Sequence, residues 1–190
     1  MMSSPAWTLS NILSLSRVLL VAPIGYCLTA DFPDHRLWAG ALMVLAVSTD
    51  FLDGYLARTL HEVSELGKII DPIADKIGVG VVGILLVWSG DLSWWFIGAV
   101  LLRDGLILAG GVYIKKRKNI IAQSNWPGKI TVSMIALYFF LSTLRIESLE
   151  SLRVFTLWAS IVLMVFSLGS YTRRLFIGPK SAKIHSLSEV

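Results

Sequence analysis

The stretch TDFLDGYLARTLHEVSELGKIIDPIADK, Thr49 to Lys76, decides how the chain is read. Two apolar runs flank a short polar connection. Each run carries two aspartates, Asp50 and Asp53 before the connection, Asp71 and Asp75 after it. Residues three or four apart share one face of a helix. The spacing therefore predicts two helices, joined through the 59–69 loop as antiparallel neighbours. Each turns a pair of carboxylates toward the other at the same depth.

Composition says what surrounds those helices. Of 190 residues, 55% are hydrophobic and 16% charged, where soluble domains carry about 25% charged residues. The mean hydropathy is +0.69. Crossing about 30 Å of hydrocarbon takes about 20 apolar residues. Six segments qualify: 10–30, 37–58, 70–89, 93–114, 129–145 and 153–172. The expected fold is an all-α integral membrane protein with six transmembrane helices, one domain over residues 1–190, and a flexible tail at 176–190. The first segment has no basic start and contains Arg17, unlike a cleaved signal peptide. Its mixed opening, SSPAWTLSNILSLSR, fits a helix that begins on the membrane surface, with Trp7 at the interface. Cys27 stands alone, which excludes a disulfide framework.

The connections alternate in charge. DFPDHR, SGDLS and RIESLESLR fall on one side. Arg58, Lys68, KKRK at 115–118, Lys129, Arg173, Arg174, Lys180 and Lys183 fall on the other. Lys and Arg collect in short cytoplasmic loops. Both termini and the 59–69 loop are therefore expected on the cytoplasmic side, as an even number of spans requires. The net charge of +4 is modest, KKRK reads as a topology signal near anionic headgroups, and no nucleic-acid partner is expected.

An aspartate at the centre of a membrane helix costs about 2.5–3.5 kcal/mol. Ionisable groups at such depth mark function. Arg58 and Lys76 are the nearby cations, and two cations do not balance four carboxylates. Divalent cations do, and hard oxygen ligands suit Mg²⁺, Mn²⁺ or Ca²⁺. Singly, Gly54, Ala57 and Gly67 read as close helix packing. Beside four aspartates they leave room for a phosphate ligand, with Arg58 as a planar fork of donors and Gly67 opening a helix whose free amides favour anions.

The pattern Asp50-x2-Asp53-Gly54-x2-Ala57-Arg58-x8-Gly67-x3-Asp71-x3-Asp75 resembles the signature of the CDP-alcohol phosphatidyltransferase family, with every fixed position filled. NILSLSRVLLVAP, Asn11 to Pro23, and GKITV at 128–132 are similar to stretches of members that make phosphatidylglycerol phosphate. The resemblance implies a six-helix membrane enzyme that displaces CMP from CDP-diacylglycerol with an alcohol, working as a homodimer. It implies that Asp50, Asp53, Asp71 and Asp75 hold two divalent cations, Mg²⁺ or Mn²⁺, and that Asp75 is the general base on the acceptor hydroxyl. It also implies that Asp50, Gly54, Ala57, Arg58 and Gly67 contact the CDP-lipid.

A phosphorylated acceptor such as glycerol 3-phosphate needs a second cationic pocket. Arg17 and Arg103 lie inside apolar runs and Lys129 opens the fifth segment; this trio is the expected acceptor-phosphate site, against snorkelling to the interface. Asp104 follows Arg103 and can neutralise it, and RDGLI looks more like cardiolipin synthases of the same family, whose acceptor is phosphatidylglycerol. An inositol-phosphate acceptor is a third possibility within the family. Outside it, a Mg²⁺-dependent membrane prenyltransferase would use denser Asp-rich clusters. A cation transporter would need acidic groups on several spans, where segments 4 to 6 offer little beyond Asp104.

Overall fold

Each apolar segment lies on its own helix. The computed structural model describes the backbone over residues 9–60, 67–118 and 126–177, and side chains over 19–49, 76–110 and 126–173. The helices are α1 (Leu9–Thr29), α2 (His35–Leu60), α3 (Gly67–Trp88), α4 (Trp94–Lys118), α5 (Trp126–Leu144) and α6 (Glu150–Ile177), with a short 3-10 turn at Glu147–Leu149 before the last. Among the described residues there is no strand. α1 is continuous from Leu9 through Pro23, so no separate surface helix interrupts it; residues 1–8 and the tail from 178 lie outside the described residues. The longest elements, α2 at 26 residues and α6 at 28, extend about 39–42 Å at 1.5 Å per residue.

α5 and α6 are the two helices that, among the described residues, are long and apolar enough to cross a membrane. The apolar stretches Leu19–Thr29 and Lys76–Trp88 are shorter. Large apolar side chains stand outward, including Phe155, Trp158, Val162, Val165 and Phe166 along α6. Water would penalise such a surface, whereas lipid would not.

Packing departs from sequence order in one respect. Among the described residues α1 packs against both α2 and α3, and it, not α3, is the main neighbour of α2. The direct α2–α3 pairing expected from their short connection does not extend to the ends of these helices remote from that connection. α5 packs on α6 and reaches α2 and α3, while α4 lies against α3 and α6. Small residues permit the close approaches. A Cβ on Gly25 would stand 3.0 Å from Leu85 Cδ1, joining α1 to α3, and one on Gly40 would stand 2.9 Å from Leu144 Cδ2, joining α2 to α5. Phe96, fully buried, meets Tyr138 edge-on at 4.9 Å and Phe139 at 6.5 Å between centroids. Gly83 lies at this core, where an added Cβ would overlap Ile97 Cδ1 and come within 3.2 Å of Phe139 Cε2. Forcing extra carbons into a packed core costs about 1–3 kcal/mol. Gly83→Val is therefore expected to lower the unfolding midpoint in detergent, and an unchanged midpoint would show that α3 and α4 pack less tightly than described.

Three connections meet at one rim of the bundle. The α3–α4 turn folds back through Gly90 (φ 77), with the Asp91 amide bonded to the Leu86 carbonyl at 2.8 Å. This tucks the Asp91 carboxylate completely inside. Arg36, in the first turn of α2, donates from Nη1 to both of its oxygens at 3.0 Å and to the Thr143 carbonyl at 3.1 Å. Arg145, past the end of α5 with φ 48, pairs its Nε with Asp91 and donates from Nη2 to the Ser89 carbonyl at 3.0 Å. Ser89 Oγ also donates to Asp91. The C-terminal ends of α2, α4 and α6 and the N-terminal ends of α3 and α5 therefore lie toward the opposite rim.

Candidate functional site

That opposite rim receives the aspartate-bearing ends of α2 and α3. α2 is helical through Asp50, Asp53, Gly54, Ala57 and Arg58, and α3 is helical from Gly67 through Asp71 and Asp75. The three- and four-residue registers are thus helical in both. The side chains of these residues, and that of Arg17 on α1, lie outside the described residues. Among the described residues no three His, Cys, Asp or Glu side chains group as a metal site.

The described site begins at Lys76, next to Asp75. Lys76 is half-buried and within electrostatic reach of Asp104 and Arg103 on α4. Arg103 is only 7% exposed. Its Nη1 donates to Asp104 Oδ1 at 2.6 Å, and its Nη2 donates to Ser167 Oγ on α6 at 2.9 Å. Its Nε is buried with no partner among the described residues. On α5, Gly128 closes this corner without filling it, since a Cβ there would stand 3.6 Å from Arg103 Nη2 and 3.7 Å from Ser167 Oγ. Thr131, one turn on, is fully buried and bonds both the Pro127 and Leu163 carbonyls, at 2.7 and 3.1 Å, which fastens α5 to α6 at this level.

A buried guanidinium with one carboxylate partner and an unspent N–H retains capacity for an anion, because Arg presents five donors and cannot lose its charge. Lys76 adds a second cation and Asp104 offsets one, so the described group is net positive. Lys129 is placed otherwise. It is exposed, with its ammonium 5.8 Å from the Trp126 ring centroid, along a shallow apolar groove of Ile130, Met134 and Leu137. Of the trio expected to bind an acceptor phosphate, Arg103 therefore lies inside, Lys129 lies against an outer aromatic ring, and the side chain of Arg17 is outside the described residues.

Ser167 was not foreseen. Its signal was present as a stripe of small polar residues on apolar α6: Thr156, Ser160 and Ser167 are all buried and recur at helical spacing. Small polar residues at such spacing line contacts between membrane helices.

Comparison with known proteins converges on one family. A protein named "putative cardiolipin synthase" from Mycobacterium bovis is 33% identical over 100 residues, 53% of this chain and 47% of that one. The chain thus spans about half the length of that relative. A CDP-diacylglycerol--glycerol-3-phosphate 3-phosphatidyltransferase from Mycoplasma pneumoniae is 33% identical over 151 residues, covering 72% of this chain and 66% of its own. A protein from Mycobacterium tuberculosis named "probable phosphatidylglycerophosphate synthase" is 33% identical over 171 residues, 87% of this chain and 80% of its own. The sequence pattern described as CDP-alcohol phosphatidyltransferase matches residues 7–166, running through the first five helices and into the sixth. On that match the chain belongs to the CDP-alcohol phosphatidyltransferase family.

Proposed function

We propose that the chain transfers a phosphatidyl group from CDP-diacylglycerol to glycerol 3-phosphate, giving phosphatidylglycerol phosphate and CMP. The observation that carries this reading is the family match over 7–166 together with the filled signature from Asp50 to Asp75. The choice of acceptor is supported by the names of the Mycoplasma pneumoniae and Mycobacterium tuberculosis relatives. In this reading the whole chain is one membrane domain of six crossings and works as a homodimer. Both termini and the site face the cytoplasm, as the Lys and Arg distribution supports.

Four carboxylates at helical spacing are a hard-oxygen donor set that fits Mg²⁺ or Mn²⁺, so Asp50, Asp53, Asp71 and Asp75 would hold two such ions. When bound, the ions neutralise charge on the diphosphate. Gly54, Ala57 and Gly67 admit the cytidine diphosphate closely, and Arg58 donates to its phosphate oxygens. Arg103 binds the acceptor's phosphate and aims its free hydroxyl. Asp75 takes that hydroxyl proton as the oxygen attacks the phosphatidyl phosphorus. The bond from that phosphorus to CMP breaks, and CMP leaves with the electron pair.

The test is CMP release by purified protein from CDP-diacylglycerol with Mg²⁺ or Mn²⁺. Glycerol 3-phosphate is compared with phosphatidylglycerol, inositol phosphate and serine. Glycerol 3-phosphate is expected to support the fastest release. Preference for phosphatidylglycerol would favour a cardiolipin-synthase type, a reading to which the Arg103–Asp104 pair and the Mycobacterium bovis relative lend support. Release from no acceptor, with transfer from a polyprenyl diphosphate or metal flux in proteoliposomes, would remove the enzyme from this reading. Arg103→Ala is expected to raise KM for glycerol 3-phosphate at least tenfold, the order of losing a hydrogen bond to a charged group. An unchanged KM would refute Arg103 as the acceptor's anchor.

A further inference from the structure

Two buried polar atoms on α4 and α6 have no partner among the described residues. One is Arg103 Nε and the other is the Tyr171 hydroxyl. Ser167 bonds Arg103 across this seam at 2.9 Å, which sets the face that α6 turns toward α4. Tyr171 follows Ser167 by four residues on the same unbroken helix and so shares that face. Burying a hydroxyl or an N–H without a partner is costly, more so in a bundle enclosed by lipid. Two unspent donors, one of them on a buried guanidinium, ask for an acceptor-rich anion. Gly128 keeps the corner free of a side chain from α5.

We infer that α6 completes the acceptor pocket: Ser167 is a positioning residue that fixes the Arg103 guanidinium, and the Tyr171 hydroxyl is a second donor to the phosphate monoester of a small polyol. Asp104 and Ser167 hold Nη1 and Nη2, so the guanidinium cannot swing about its stem, and Nε–H is left for the ligand. Tyr171 offers an O–H that takes a phosphate oxygen and adds no charge. This inference rests on the acceptor reading above and names residues that the reading does not require.

The experiment measures KM for glycerol 3-phosphate and KM for CDP-diacylglycerol separately in Ser167→Ala and Tyr171→Phe, with a detergent melting curve for each. Both variants are expected to raise the glycerol 3-phosphate KM about five- to tenfold, within the range for losing one ordinary hydrogen bond. The CDP-diacylglycerol KM should stay unchanged. Tyr171→Phe removes one oxygen and keeps the ring, so it remains informative if Ser167→Ala loosens the bundle. If the wild type turns over glycerol 3-phosphate and neither variant changes its KM, the inference is overturned while the acceptor reading stands. If both KM values rise together, α6 acts only on the fold and the inference is again overturned. If the wild type does not use glycerol 3-phosphate at all, the acceptor reading falls first and the pocket falls with it.

Discussion

Asp75→Asn is expected to cut CMP release by about 10²–10⁴-fold, the range that a positioned general base contributes. CDP-diacylglycerol should still bind measurably. The substitution is nearly isosteric, so the helix that carries it, α3, has no reason to move. What it removes is the negative charge that accepts a proton from the attacking hydroxyl. The two outcomes separate on the same protein preparation, with binding followed by retention of labelled CDP-lipid and turnover by CMP release. Activity within about tenfold of wild type would assign the proton to another group. Loss of binding together with turnover would instead place Asp75 in holding the substrate, and the base would have to be sought elsewhere.

The second large effect is on stability, at the far rim. Asp91→Ala is expected to destabilise the bundle by about 3–5 kcal/mol, the cost of leaving buried charges without their partner. The carboxylate is wholly buried and pairs with two guanidiniums, so its removal strands Arg36 beside the Thr143 carbonyl and leaves Arg145 without its carboxylate partner. Against a total stability of about 5–15 kcal/mol this is a large share. Chemical unfolding in detergent measures it. A loss below about 1 kcal/mol would class the cluster with exposed ion pairs and refute its role as a fastening. Arg145 is half-exposed, so Arg145→Ala should cost much less than Asp91→Ala.

Helices were legible in the sequence because each needs only a local signal. Six apolar runs became six helices, and the sequence segment at 153–172 differs from Glu150–Ile177 mainly in its ends. The Asp91 cluster was not legible. SGDLS reads as a charge-poor connection, and nothing near it points to Arg36, 55 residues earlier, or to Arg145, 54 residues later. The same holds for Ser167, which reaches Arg103 across 64 residues. Lys129 was ambiguous for another reason: a cation at the head of an apolar segment suits a pocket or an interface equally well, and the sequence does not show that its ammonium stands near the Trp126 ring. The placement of α1 against both α2 and α3 was likewise beyond a reading in which neighbours in sequence are neighbours in space.

Arg103 lies nine residues along α4 from Trp94, about 14 Å of helix. In the proposed six-crossing arrangement, with the exposed Trp94 at one boundary of about 30 Å of hydrocarbon, the guanidinium would lie near the midplane. A water-soluble reactant bound there would descend through a hydrated vestibule, and the new headgroup would form below the plane of its neighbours. On the proposed activity the finished lipid would then have to climb before it could diffuse away, so its exit, as much as the chemistry, would limit the rate.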